Sequence, residues 1–79
     1  MNQFNNLNNA RVLVTGGSGF IGTNIMEFFI KHEIESCNFD INPPLNSEHS
    51  HLWENVDIRN FDALKRKIVN YKPTHILYL

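Results

Sequence analysis

The hydrophobic pattern changes period abruptly across a glycine-rich turn near the start of the chain. Arg11-Val12-Leu13-Val14-Thr15 is a short apolar run, rich in β-branched residues, that halts at glycine. Such a run predicts a buried strand. From Phe20 the spacing becomes helical, with Ile21, Ile25, Phe28 and Phe29 on one face. Only Gly16-Gly17-Ser18-Gly19 separates the two patterns. A strand that hands over to a helix so quickly needs backbone angles that side chains disfavour. It also presents the first, unpaired N–H groups of the helix at the positive end of its dipole. Few folds accommodate this junction, and an anion can settle on it.

The glycine spacing refines that expectation. Gly16 permits the sharp turn, Gly19 leaves room for phosphate against backbone, and Gly22 lets helix and strand pack closely. Gly17, Gly19 and Gly22 also satisfy the general Gly-x-Gly-x-x-Gly spacing of a Rossmann dinucleotide turn. Ser18 reads as a turn residue donating to phosphate; a nucleophile would need a base, and no partner pattern is visible. Asp40 follows 18 residues after Gly22, at the end of the next strand. A carboxylate there accepts hydrogen bonds from ribose hydroxyls and repels a 2′-phosphate, so NAD is expected over NADP. Residues 41–51 contain no Lys or Arg to hold an extra phosphate.

The remaining chain continues the alternation. Ile34 to Phe39 predicts a second strand ending at Asp40. The segment from Asn42 to Ser50, with Pro43 and Pro44, predicts a loop. Leu52 to Val56 predicts a third strand. Asn60 is a helix N-cap, followed by Phe61, Leu64, Ile68 and Tyr71 on one face and a stop at Pro73. His75 to Leu79 predicts a fourth strand, within which the chain stops. The expected fold is α/β: a partial Rossmann fold with a four-stranded parallel sheet, order 3-2-1-4, and about one helix on each face. Residues 1–9, rich in asparagine, read as a disordered leader, and residues 10–79 as the N-terminal half of the cofactor domain.

Composition narrows the partners. The chain has 79 residues and a formal net charge of −1, which argues against nucleic acid. The basic Lys65-Arg66-Lys67 cluster reads as a solvated helix face. A single cysteine, Cys37, reads as a small buried hydrophobe. No apolar run reaches membrane-spanning length and no secretory signal is visible, so a cytoplasmic protein without membrane contact is expected. His49 and His51, beside Glu48, read as a solvated loop rather than a metal site, and Trp53 as strand packing.

The string Val12-Leu13-Val14-Thr15-Gly16-Gly17-Ser18-Gly19-Phe20-Ile21-Gly22 resembles the opening of the extended short-chain dehydrogenase/reductases, in their NAD-dependent epimerase/dehydratase group. Their Gly-x-x-Gly-x-x-Gly spacing is met by Gly16, Gly19 and Gly22. The resemblance implies that backbone at Phe20 and Ile21 contacts the pyrophosphate and that Asp40 holds the ribose. It further implies that Asp57-Ile58 lies against the adenine. The family's fourth strand usually carries a histidine and two alanines; here Tyr78 stands in the histidine's place and the alanines are absent. Catalytic members carry a Tyr-x-x-x-Lys pair further along. Here His75, not lysine, stands four residues after Tyr71, and the adjacent Tyr71-Lys72 reads as structural.

Two functions from different classes follow. One is the cofactor-binding N-terminal fragment of an NAD-dependent nucleotide-sugar epimerase or dehydratase, inert alone because no catalytic residues are expected here. The other is a free-standing module that binds an adenine nucleotide or another protein. Either way the fourth strand would be an open apolar edge, suited to self-association or to a complementing chain.

Overall fold

The computed structural model describes residues 9–79. The leader expected over residues 1–9 lies outside the described residues, apart from Asn9. The elements are β1 (Arg11–Thr15), α1 (Phe20–Lys31), β2 (Glu35–Asp40), a 3₁₀ helix (Ser47–Leu52), β3 (Trp53–Asn55), α2 (Phe61–Tyr71) and β4 (His75–Tyr78). All three strand pairs are parallel, and the sheet order is β3-β2-β1-β4, as expected.

β1 is a central strand covered on both faces, which explains its unbroken apolar sequence. On one face Val12 and Val14 pack with Met26 and Phe29 of α1, with Ala10 and Ile34, and against Ile25 and Leu52. On the other, Leu13 packs with Cys37, Phe39 and Val56, and Leu64, Ile68 and Tyr71 of α2 close over them. One α-helix therefore covers each face.

The inward side of α1 differs from the expected one. Gly22, Met26 and Phe29 are buried, whereas Ile21 is 67% and Phe28 38% exposed. The cause is the glycine contact at the start of the helix. A Cβ added at Gly22 would lie 2.6 Å from the Gly17 Cα and would also strike the Gly16 carbonyl oxygen. Gly22 must face the turn, and this sets the rotation of every later residue in α1. In α2, Phe61 stays 71% exposed although it shares a face with Leu64 and Ile68, which pack against the Leu13 cluster.

The expected loop also holds more structure than its prolines suggest. Asn46 caps the 3₁₀ helix by accepting from the Glu48 N–H at 2.9 Å. Leu52 ends that helix instead of starting β3, and Val56 leaves the sheet yet remains 3% exposed. His49, read as solvated, is 3% exposed, with Nε2 at 3.1 Å from Glu27 Oε1 of α1. The 3₁₀ helix is thereby pinned to α1.

The end of α2 is tied to the start of β1. Arg11 donates from Nε and Nη2 to the Tyr71 carbonyl at 3.0 and 2.6 Å, and its guanidinium lies 4.6 Å from the centre of the Tyr71 ring. Thr74 then accepts from the Arg11 N–H at 2.8 Å, which aligns β4 beside β1.

Two outcomes are expected. Gly22→Ala places a methyl against backbone that cannot yield, and should cost about 1–3 kcal/mol in urea unfolding; an unchanged midpoint would contradict the contact. Burial, then the Glu54 carboxylate, pushes the Cys37 thiol up to about 11. Thiolate is therefore scarce at pH 8, and iodoacetamide should label Cys37 only after denaturation. Fast labelling of the native chain would overturn that packing.

Candidate functional site

The glycine turn splits its backbone donors into two sets. Gly16 takes a left-handed φ of +82° and donates to the Phe39 carbonyl at 3.0 Å. Gly17 donates to Asn38 Oδ1 at 2.8 Å, and Ser18 N–H to Asp40 Oδ2 at 3.0 Å. These donors face β2 and are committed to it. Gly19 caps α1 without any side-chain hydrogen bond. The N–H groups of Phe20, Ile21 and Gly22 consequently have no acceptor among the described residues. Space above Gly19 is open: an added Cβ would meet only the Gly16 carbonyl oxygen, at 3.6 Å. Uncapped donors, a helix dipole and an open approach make this end of α1 able to receive an anion.

A cavity of about 350 Å³ adjoins the turn at the carboxyl ends of the strands. Gly16 beyond β1, Phe39 and Asp40 ending β2, Val56 beyond β3 and Leu79 beyond β4 form its walls, with Ile41, Asn42, Asp57, Ile58 and Arg59. This is the crevice where open α/β sheets take ligands. Asp40 Oδ1 accepts from the Asn42 N–H at 2.9 Å, and the Asp40 carbonyl accepts from the Trp53 indole at 2.8 Å. Trp53, expected as packing, thus also anchors the end of β2.

Asp57 is gripped by its neighbour. Its Oδ1 accepts from Arg59 N–H at 2.9 Å and Nε at 3.0 Å, and its Oδ2 from Nη2 at 2.9 Å. These bonds hold the Asp57 carboxyl below the usual carboxylate range. Among the described residues Arg59 is the only cation lining the cavity, and its charge is spent on Asp57.

The residues named from the sequence therefore fall into three groups. Gly16, Asp40, Asp57 and Ile58 line one cavity. Gly19, Phe20, Ile21 and Gly22 form the open helix start beside it. Gly17 and Ser18 lie behind the turn: Ser18 is 5% exposed and its hydroxyl donates to the Asn42 carbonyl at 2.7 Å. Asn38, Asn42 and Arg59 were not anticipated. Asn38 did carry a signal, since a polar residue within a buried strand must find hydrogen-bond partners. Tyr71 does not line the cavity, and burial, followed by Cys37 and Glu35, pushes its phenol up to about 12. Among the described residues no three His, Cys, Asp or Glu side chains converge as metal ligands, and no helix is long and apolar enough to cross a membrane.

Known proteins share this fold. A dTDP-glucose 4,6-dehydratase of Haemophilus influenzae is 27% identical; the match covers 86% of this chain and 23% of the relative. The crystal structure of a Thermus thermophilus UDP-glucose 4-epimerase in complex with NAD superposes with a TM-score of 0.74 at 32% identity, again over 86% of this chain and 23% of the other. The chain thus spans about a quarter of the length of these relatives. The profile of the NAD dependent epimerase/dehydratase family matches residues 12–79, and the chain belongs to that family.

Proposed function

We propose that this chain binds NAD as the cofactor-binding N-terminal region of a nucleotide-sugar epimerase or dehydratase. The observation that carries the reading is one juxtaposition. The uncapped start of α1 stands over the glycine turn, beside a cavity that presents the carboxylates of Asp40 and Asp57. In this reading the N–H groups of Phe20 and Ile21 take the pyrophosphate, Asp40 takes the ribose hydroxyls, and Asp57-Ile58 bounds the adenine. Gly17 and Ser18 hold the turn in shape behind them. The NAD named in the Thermus relative supports this choice of cofactor.

NAD is preferred over NADP because the cavity carries two carboxylates against one arginine already paired with Asp57. A 2′-phosphate entering there would face uncompensated negative charge. In the parent reaction bound NAD would accept a hydride from a sugar carbon and return it. The contribution of these residues is binding and orientation; the Tyr-x-x-x-Lys pair that would move the proton is not among them. Titration of the chain should show NADH binding more tightly than NADPH. Tighter NADPH binding overturns the preference, and no binding of either overturns the reading. Submicromolar NADH affinity would instead favour a free-standing module.

The β4 edge bears on partners. Ile76, Leu77 and Tyr78 are 52%, 38% and 77% exposed on a strand that, among the described residues, pairs only with β1. Such an edge invites strand pairing. The 79-residue chain by itself should self-associate in light scattering or melt with low stability. A monodisperse monomer with a sharp, cooperative melt would count against this.

A further inference from the structure

We infer that Asn38 is a positioning residue that locks the phosphate turn to the ribose-binding end of β2. This rests on the cofactor-binding reading above. Asn38 is 1% exposed and lies in the middle of β2. Its side chain spans two residues of the turn: Oδ1 accepts from the Gly17 N–H at 2.8 Å, and Nδ2 donates to Ser18 Oγ at 3.0 Å. The Gly17 N–H can only donate, which fixes the orientation of the amide.

The network continues to the ribose side. The Ser18 hydroxyl donates to the Asn42 carbonyl at 2.7 Å, and Ser18 N–H donates to Asp40 Oδ2 at 3.0 Å. Asn42 N–H closes the ring on Asp40 Oδ1 at 2.9 Å. Gly17, Ser18, Asn38, Asp40 and Asn42 therefore form one network, with Asn38 as its only fully buried amide side chain. The second glycine of the turn is matched to it: a Cβ at Gly17 would sit 2.6 Å from Asn38 Oδ1.

This arrangement has a directional consequence. With the Gly17 and Ser18 donors held toward β2, the chain rises into α1 so that the Phe20 and Ile21 donors face outward. Remove the amide and the buried Gly17 N–H loses its acceptor, a cost the turn relieves only by moving. Such movement displaces the phosphate donors, and ligand affinity depends on donors held in place.

Asn38→Leu and Asn38→Asp, titrated with NADH beside the wild-type chain, test this. Asn38→Leu should bind about tenfold more weakly or worse. Asn38→Asp keeps the acceptor for Gly17 but has no donor for Ser18 when ionised, and it adds a buried charge near Asp40. Protonated, its carboxyl is donor and acceptor in the shape of the amide. Its affinity should be low at pH 8 and recover toward wild type as the pH falls, because burial raises such a carboxyl. Asn38→Leu, which has nothing to protonate, should show no recovery. A role in packing alone is met by the similarly branched leucine and predicts near wild-type affinity for folded Asn38→Leu, so the loss in that variant separates the two. Folded Asn38→Leu with wild-type affinity, or a pH-independent loss in Asn38→Asp, overturns the inference. Should both variants unfold, the wild-type chain still decides. A through-hydrogen-bond NMR coupling between the Gly17 amide nitrogen and the Asn38 side-chain carbonyl carbon supports the link, and its absence overturns it. Failure of the wild-type chain to bind NADH defeats the underlying reading instead, and the coupling reports on the turn independently.

Discussion

The backbone contact between Gly22 and the Gly16-Gly17 segment governs most of what surrounds it. No side chain fits between the first turn of α1 and the strand-to-helix turn. The helix start is therefore seated directly on backbone, and its rotation is set there. That rotation sends Met26 and Phe29 into the core and leaves Phe20 and Ile21 outside. It also aims the uncapped N–H groups away from the protein. Packing and the direction of the helix-start donors are here two results of one close approach, so a change that relaxes the contact alters both.

Polar groups carry the second tier of organisation. Parallel strands covered on both faces normally bury apolar side chains, yet β2 carries Ser36 and Asn38 in its interior. Burying an amide without partners costs more than its hydrogen bonds return, so a position like Asn38 is tolerable only where the partners exist. The glycine turn supplies them. His49 illustrates the same rule at the other end of the loop after β2. Its imidazole is tied to Glu27, and the loop is held at Asn42 by Ser18 and at His49 by α1. A proline-bearing connection thereby becomes a fixed wall of the cavity instead of a free tether.

The sheet also explains why the candidate cofactor residues collect at one edge. All four strands run the same way, so their carboxyl ends deliver Gly16, Asp40, Val56 and Leu79 to a common rim. Residues far apart in the chain meet there, and long-range side-chain bonds such as that of the Trp53 indole to the Asp40 carbonyl hold them. At the outer side of β4, which among the described residues pairs only with β1, the same sheet exposes Ile76, Leu77 and Tyr78.

Much of this was legible in the sequence because local physics dominates it. The change of hydrophobic period at Phe20, the glycine spacing, the Asn60 cap and the Pro73 stop each act within a few residues. Together they specify the element order, and the handedness of parallel crossovers then specifies the sheet order. The phase of α1 came from tertiary contacts, which brought Met26 in beside Ile25 and Phe29 and turned Ile21 and Phe28 outward. Periodicity gives a helix an apolar face, whereas the contact at Gly22 chooses which edge of that face is covered. Tertiary contacts also account for the burial of His49 and for the cavity that forms around Asp57 and its partner Arg59, whereas the 3₁₀ helix after the prolines starts from the local Asn46 cap. Above all they give Asn38 its role. In the sequence that residue is only a polar position within an apolar strand; its meaning depends on a glycine N–H 21 residues earlier, brought within 2.8 Å by the pairing of β1 with β2.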